Sequence, residues 1–200
     1  DLTTSRPSAS VPTTPAKAAI VTIHDEINDI TLVSMKRRVE EARTAGATII
    51  VFEMDTPGGL VGSTLEICTF IKNLSDLKTV AWIHPAAYSA GAMISLSCDE
   101  IVMAGASRMG DCAPILISPT DGLKELGKTE RAKVESPILK EFLDSSHRRG
   151  YDPLLCESMV RLGNEVWWVE DGAGGERRFV RKSEKESLMT KEGSAWKPVE

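Results

Sequence analysis

The feature that most constrains this chain is a regular alternation of short apolar runs and amphipathic segments between residues 18 and 104. The run ATIIVFEM (47–54) is almost continuously apolar, which is typical of a strand buried on both faces of a parallel sheet. Further strands are predicted at 18–23, 78–83 and 100–104. Apolar residues at helical spacing lie between them, at 31–46, 60–74 and 89–98. Strand–helix–strand units of this kind predict an α/β fold with a mostly parallel sheet, right-handed crossovers and flanking helices.

The first two helices have the clearest sequence signals. Thr31 is the predicted N-cap of the first, and Gly46 is a natural residue to follow its last turn. The side of this helix that faces the core is expected to carry Val33, Met35, Val39 and Ala42. In the second helix the same side is expected to carry Leu65, Cys68, Ile71 and Leu74.

Composition divides the chain into three parts. Residues 1–16 are rich in Ser, Thr and Pro and are predicted to be a flexible leader, because they hold too little apolar surface to offset the entropy of ordering. Residues 17–163 hold the predicted α/β domain, and 164–200 a β-hairpin appendage with a charged tail. The EVWWV hairpin is a candidate contact surface, because adjacent strand residues point to opposite faces and either Trp167 or Trp168 must therefore face outward. An edge hairpin packed partly on its own domain explains the pattern equally well.

The elements after Gly110 are predicted to be a loop, two helices and a hairpin. The loop covers 111–128, and a long helix follows at 129–150. Pro137 lies inside that helix and predicts a kink or a break near residue 136. The second helix and the two hairpin strands are predicted at 152–163, 165–169 and 177–181.

Charge and hydropathy exclude two classes of protein. The net charge of −5 and the isoelectric point near 5.4 argue against a nucleic-acid partner. No apolar run approaches the roughly 18–20 residues that a membrane-spanning helix needs. The chain opens on Asp1 rather than Met, so we expect a piece processed or cut from a longer protein, whose membrane region is absent.

The cysteines and histidines predict neither a metal site nor a cofactor. The four cysteines are widely spaced, with no CxxC pair and no adjacent histidine, and small buried side chains are expected at these positions. A disulfide pairing cannot be read from their spacing. The residues concerned are Cys68, Cys98, Cys112 and Cys156, with His24, His84 and His147 scattered between them.

Two turns built from small residues follow two of the predicted strands. DTPGG (55–59) follows the strand at 47–54, and its glycines let backbone N–H groups face a shared crevice. SAG (89–91) opens a helix, which places Ser89 at the positive end of the helix dipole beside the Ala90 N–H. A tight turn and an ordinary N-cap would explain these features separately. Together they also fit a nucleophilic serine flanked by amide donors.

A nucleophilic serine needs a base within hydrogen-bond reach. His147 is the first histidine after Ser89, but it lies near the end of a polar helix with no obvious acidic partner. A lysine can serve where burial or a helix N-terminus favours the neutral amine. The residues alone leave four candidates open, each of which is equally explained as a surface charge: Lys124, Lys128, Lys133 and Lys140.

DTPGG followed by AYSAGAMISLSCDEIVMAGASRMGDCAPI resembles the ClpP/crotonase superfamily, and in particular the NfeD-type membrane-bound serine peptidases, relatives of signal peptide peptidase A. The resemblance extends over about residues 18–163 and implies a ClpP/crotonase-like fold. It also implies that Ser89 is the nucleophile. The oxyanion hole would then be formed by the backbone of Gly58 or Gly59 and by the N–H of Ala90.

The resemblance also selects a base. GDCAPI (110–115) has no histidine where ClpP carries its catalytic one, which favours the Ser–Lys dyad of the NfeD type. In that family the lysine lies on a helix that reaches a glycine turn about seventeen residues later. Lys133 precedes Gly150 by 17 residues, so it is the predicted base.

The resemblance implies a serine endopeptidase that cleaves hydrophobic or membrane-proximal segments of membrane proteins. It further implies an extracytoplasmic domain of a membrane-associated protein, a stomatin-like membrane protein as partner, and a homo-oligomer of two or more copies. Two alternatives remain open: a catalytically inactive scaffold of the same fold, and a crotonase-type enzyme acting on acyl-CoA.

Overall fold

The computed structural model describes residues 16–118, 122–124, 127–172, 175–191 and 194–199, with backbone alone for 116–118 and 122–124. The strands are β1 (Ala18–His24), β2 (Ile49–Thr56), β3 (Lys78–Tyr88), β4 (Glu100–Met103), β5 (Arg108–Gly110), β6 (Leu116–Ser118), β7 (Gly122–Lys124), β8 (Val166–Asp171), β9 (Arg177–Arg181) and β10 (Trp196–Pro198). The helices are α1 (Asp29–Thr44), α2 (Val61–Lys72), α3 (Ala90–Ser97), α4 (Lys128–Arg149), α5 (Pro153–Ser158) and α6 (Lys182–Thr190). Within these ranges no helix combines the length and the apolar character needed to cross a membrane.

The main sheet has five strands, in the order β1-β2-β3-β4 with β5 paired to the far end of β3. Every pair in it is parallel. The predicted α/β fold with a mostly parallel sheet and flanking helices is therefore confirmed. β3 is longer than predicted and runs to Tyr88, because Ala86, Ala87 and Tyr88 pair with β5.

The helices cover one face of this sheet. Ile50, Phe52 and Met54 of β2 are fully buried, whereas the residues between them are only partly covered. The prediction that this strand is buried on both faces is therefore wrong. The reason is the placement of the helices. Helix α1 packs on β1, α3 packs on β2 and β3, and α2 contacts both of these helices, so the three form one layer.

Helix α1 begins three residues earlier than the sequence predicts. Asn28 is the N-cap, with its side chain accepting hydrogen bonds from the amides of Ile30 and Thr31. Thr31 completes a capping box by accepting from the Asn28 N–H. The buried side of α1 carries Leu32, Met35 and Val39, whereas Val33, which was predicted on it, is exposed.

Helix α4 is continuous through Pro137, so of the two predicted outcomes the break near residue 136 is wrong, and the kink stays a prediction. Gly150 ends it in the left-handed conformation, with φ of 73°. The helix predicted at 152–163 is shorter than expected, since α5 ends at Ser158. The predicted loop at 111–128 contains the short antiparallel pair β6 and β7.

The predicted hairpin is confirmed as the antiparallel pair β8 and β9. Trp167 lies under Lys185 of α6, whereas its neighbour Trp168 packs against Phe179. Helix α6 and strand β10, which pairs with β8, have no clear pattern in the sequence and were not predicted. Residues 1–15 of the predicted leader lie outside the described residues.

Candidate active site

The two small-residue turns meet at the carboxyl ends of β2 and β3, where the parallel sheet places them side by side. Gly58 has φ of 110° and lies against the serine. A Cβ atom added to it would lie 2.6 Å from Cβ of Ser89 and 3.1 Å from its Oγ. The sequence motifs DTPGG and SAG therefore form one site.

Ser89 has a strained backbone, with φ of 50° and ψ of −112°. A non-glycine residue in such a region typically costs about 1–3 kcal/mol and persists only where its surroundings hold it. Here the Ser89 N–H donates to the carbonyl of Gly110 at 2.8 Å, and the Cys112 thiol donates to the Ser89 carbonyl at 3.5 Å. Gly110 at the end of β5 and Cys112 just after it thus hold the backbone of Ser89 in this conformation.

The side chain of Ser89 does not serve as a helix cap. The residue occupies the N-cap position of α3, but its hydroxyl makes no capping hydrogen bond. No other partner for this hydroxyl is found in the part of the chain that the structure describes. The N-cap explanation of Ser89 is therefore insufficient, and a half-buried hydroxyl is left free beside Gly58.

Two of the three predicted amide donors are free. The Gly58 N–H donates to Oγ1 of Thr56 at 3.1 Å and is therefore engaged. Among the described residues the N–H groups of Gly59 and Ala90 have no hydrogen-bond partner. They belong to the two turns that meet at Ser89, which is the arrangement needed to bind an oxyanion.

Two cavities open at the serine. The smaller, of about 130 Å³, has a largely apolar lining that includes Val61, Met93, Val134 and Ile138 beside Ser89. The larger cleft, of about 660 Å³, extends over the DTPGG turn. The lining of both cavities suits an extended chain that places one apolar side chain next to the serine.

The structure does not bring Lys133 to Ser89. Lys133 lies in the second turn of α4, is exposed, and has no hydrogen bond or ion pair with any described residue. Its neighbour Val134 lines the smaller cavity. Successive residues of a helix point roughly 100° apart, so the amine of Lys133 must swing or move with α4 to reach the serine.

None of the other three candidate lysines is found at the cavities beside Ser89 among the side chains that the structure describes. Lys128 is exposed at the first residue of α4. Lys140 lines a different cavity, together with His147 and Arg161. Lys124 belongs to β7, of which the side chains are not described. Lys133 therefore remains the candidate base, because its neighbour Val134 lines the smaller cavity.

Two residues at the site were missed by sequence reasoning about function. Thr56 belongs to the DTPGG motif, and its hydroxyl donates to the Asp25 carbonyl and accepts the Gly58 N–H. Cys112 was expected to be a small buried residue, which it is, but it also contacts Ser89. Burial raises the pKa of the Cys112 thiol to about 12, so the thiol is protonated at neutral pH and acts as a donor. Like Cys68, Cys98 and Cys156, it is a free buried cysteine.

The sequence comparisons decide the family. The NfeD1b N-terminal domain family matches residues 17–176, well over half of the chain. The chain belongs to this family. The NfeD-type resemblance found from the motifs is therefore confirmed.

Two curated relatives extend well beyond this NfeD1b-type domain. Membrane protein NfeD1b of Bacillus subtilis is 33% identical over 126 residues, which is 63% of this chain and 27% of that protein. Membrane-bound protease PH1510 of Pyrococcus horikoshii is 31% identical over 100 residues, which is 48% of this chain and 22% of that protein. The chain thus spans about a quarter of the length of these relatives, and both carry names of membrane proteins.

Solved structures agree with this family at the level of the fold. A mutant of the 1510-N membrane-bound stomatin-specific protease matches with a TM-score of 0.65 at 23% identity, over 74% of this chain and 70% of that one. A second mutant, in complex with a substrate peptide, also matches with a TM-score of 0.65 at 23% identity, over 72% of this chain and 66% of that one. ClpP1 from Listeria monocytogenes matches with a TM-score of 0.54 at 15% identity, over 84% of this chain and 85% of that one. The fold of the NfeD1b-type domain is accordingly ClpP-like.

Proposed function

We propose that this domain is a serine endopeptidase in which Ser89 is the nucleophile and Lys133 the general base. The observation that carries the proposal is the strained backbone of Ser89, whose free hydroxyl lies against the glycine turn. The amides of Gly59 and Ala90, left without partners in the described chain, support it. A relative named as a membrane-bound protease supports the same class of activity.

The first half of the reaction acylates the serine. The Ser89 hydroxyl gives its proton to the neutral amine of Lys133 while Oγ forms a bond to the substrate carbonyl carbon. The carbonyl oxygen becomes an oxyanion that accepts hydrogen bonds from the Gly59 and Ala90 amides. The C–N bond then breaks, and the Lys133 ammonium returns its proton to the leaving amine.

The second half releases the acyl group. The neutral amine of Lys133 takes a proton from a water molecule, whose oxygen attacks the ester carbon. The same two amides hold the second oxyanion. The bond from carbon to Oγ of Ser89 breaks, the serine recovers its proton from the lysine, and the peptide carboxylate leaves.

If Lys133 acts within its own copy of the chain, this mechanism requires a movement of the start of α4. Lys133 is exposed in the structure, whereas a base must come within hydrogen-bond reach of Ser89. Closure of the first turns of α4 over the smaller cavity brings the amine to the serine and removes it from water, which favours its neutral form. A lysine contributed by a second copy of the chain is the other way to meet the same requirement.

The proposed substrates are hydrophobic segments of membrane proteins. The smaller cavity beside Ser89 offers Val61, Met93 and Ile138 to a substrate side chain, so an apolar residue is favoured next to the scissile bond. The structurally similar 1510-N protease is described as specific for stomatin. A stomatin-like protein is therefore the first natural substrate to test.

The proposed setting is the extracytoplasmic side of a membrane, with the domain in a homo-oligomer. The membrane-protein names of the curated relatives support an association with a membrane. Light scattering coupled to gel filtration measures the number of copies. Protection of the full-length protein from protease added to intact cells would contradict the extracytoplasmic position.

Hydrolysis of a hydrophobic fluorogenic peptide tests the mechanism. Ser89→Ala is expected to lower kcat by at least about 10³-fold, since removing the nucleophile leaves only what binding and the amides contribute. Lys133→Met is expected to do the same because the serine then lacks its base. Lys128→Met, five residues earlier on the same exposed stretch of helix, is the matched control and should retain the parent's kcat.

Equal hydrolysis by the parent and Ser89→Ala would refute the peptidase proposal and favour the scaffold alternative. Loss of activity in Lys128→Met with full activity in Lys133→Met would reassign the base. Mixing inactive Ser89→Ala with inactive Lys133→Met identifies a base supplied by another copy, because activity then returns in mixed oligomers.

A further inference from the structure

Thr56 is the last residue of β2, immediately before the glycine turn, and its side chain is 2% exposed. Its Oγ1 donates to the carbonyl of Asp25 at 2.5 Å. The same oxygen accepts the N–H of Gly58 at 3.1 Å. One hydroxyl thus joins the end of β1 to the turn that approaches Ser89.

The methyl group of Thr56 makes a third contact, with α3. A Cβ atom added to Gly91 would lie 2.5 Å from Cγ2 of Thr56, so the methyl group packs directly on this helical backbone. Gly91 lies two residues after Ser89 and one after Ala90. Thr56 therefore contacts both of the turns that contribute a free amide to the site.

The hydroxyl also decides which glycine amide stays available. Gly58 lies against Ser89, but its N–H is bonded to Thr56 and is therefore engaged. Gly59 is fixed by its neighbours, because the Gly58 carbonyl accepts from Ile27 N–H and the Ile27 carbonyl accepts from Leu60 N–H, both at 2.8 Å. Its own N–H is left without a partner among the described residues.

We propose that Thr56 is the positioning residue of the oxyanion hole: its hydroxyl and methyl group set the spacing between the Gly59 and Ala90 amides. This inference rests on the proposed peptidase function. Thr56 does not touch the substrate. It acts through two backbone amides, whose placement matters because a shift of about 1 Å in a catalytic group can lower a rate about 10²-fold.

The test compares Thr56→Val, which keeps the shape and removes the hydroxyl, with Thr56→Ser, which keeps the hydroxyl. Thr56→Val is expected to lower kcat about 10²-fold with KM within about twofold, since the donors act on the transition state. Thr56→Ser is expected to restore at least about a third of the parent's kcat. If the valine variant does not fold, Thr56→Ala takes its place, and all rates are referred to the folded fraction.

Thr79→Val is the matched control for the loss of a buried threonine hydroxyl. Thr79 is 1% exposed at the start of β3, and its Oγ1 donates to the Asp99 carboxylate at 2.8 Å, away from Ser89. This variant should lose stability but keep the parent's kcat. A purely structural role for Thr56 would make Thr56→Val and Thr79→Val behave alike, and this result would overturn the proposal.

Hydrogen exchange of the Gly58 amide separates this inference from the proposed function. Thr56→Val is expected to raise the exchange rate of Gly58 at least about tenfold, because the amide loses its acceptor, whether or not the domain hydrolyses peptides. An unchanged Gly58 rate would overturn the positioning role even in an active enzyme. Unchanged hydrolysis in Ser89→Ala would instead overturn the peptidase proposal, without touching the hydrogen bond between Gly58 and Thr56 that the exchange experiment tests.

Discussion

At the scale of single residues, the site depends on how closely the Gly58 backbone approaches the Ser89 side chain. The φ of Gly58, 110°, lies where side chains are strained, and the space beside its Cα is filled by Ser89. Gly62 of α2 differs in both respects, since a Cβ atom there meets nothing within 4 Å. The two glycines therefore respond in opposite ways to the same substitution.

Gly58→Ala is expected to lower the free energy of unfolding by about 2 kcal/mol or more, through backbone strain and a forced shift of Ser89. Peptide hydrolysis should fall with it, by at least about 10²-fold. Gly62→Ala, the control, should stabilise the domain by about 0.5–1 kcal/mol, because alanine favours an exposed helix position. Urea unfolding measures the free energy of unfolding of both variants. Equal stability of the two variants would show that Gly58 does not require its glycine.

At the scale of elements, α4 consists of two unlike halves. The second half is anchored: Ile138 and Phe142 are buried, and Arg149 pairs with Asp99 at 2.6 Å. The first half, with Lys133, is mostly exposed. Pro137 divides them, since it has no N–H to donate to the carbonyl four residues earlier. This is the point at which the helix bends most easily, and a bend there would let Lys133, the proposed base, move toward the serine.

Pro137→Ala tests this division. The alanine supplies the missing N–H to the Lys133 carbonyl and removes the ring's clash with it, so the first half of α4 is expected to exchange its amide hydrogens several-fold more slowly. If closure needs the bend, kcat should fall several-fold with little change in KM. Pro153→Ala, at the first turn of α5, is the control. It should change neither the amide exchange of α4 nor kcat. Faster exchange in the Pro137 variant would contradict this account.

The main elements could be predicted because their patterns are strong. The apolar runs predicted four of the five strands of the main sheet, β1 to β4. Gly150 correctly predicted the end of α4. β5 was missed because Arg108–Gly110 has no apolar run and becomes a strand only by pairing with β3. α6 was missed because its nine residues are mostly charged and polar, and none is buried.

At the scale of the whole molecule, a group of charges ties α4 to the rest of the domain. Lys72, at the end of α2, is 7% exposed and contacts Glu141 and Asp144 of α4 at 2.5 and 2.6 Å. Arg148 adds a further contact to Asp144 at 3.0 Å. The hydrogen bond from Lys72, followed by that from Arg148, lowers the pKa of the Asp144 carboxyl below its ordinary value. The anchored half of α4 is thus held by charge as well as by burial.

Acid should weaken this link. Because the pKa of Asp144 is lower in the folded than in the unfolded chain, its stabilising effect is complete above the unfolded value of about 3.9 and is lost as the pH falls toward the folded pKa. Asp144→Asn is therefore expected to reduce the free energy of unfolding by less than about 1 kcal/mol at pH 7, and to flatten its fall below about pH 4. Glu66→Gln, at an exposed carboxylate without an ion pair among the described residues, is the control. Parallel pH curves for the parent and Asp144→Asn would contradict the assignment.

The candidate site could be predicted only in part. Parallel strands end at one edge of their sheet, so sequence order alone brings the DTPGG and SAG turns together. The hydrogen bond from the Gly58 amide to Thr56 could not be predicted, because the sequence does not show which groups a buried threonine hydroxyl binds. The exposure of Lys133 could not be predicted either, since it depends on how α4 lies over the domain.

The backbone of Ser89 has a further consequence, for selection. Its φ of 50° and ψ of −112° belong to a region that glycine occupies without strain. A chain required only to fold would therefore be more stable with glycine at position 89. If Ser89 is the nucleophile, as proposed, stability and reactivity make opposite demands at this one residue, and its serine is retained for reactivity at a cost in stability.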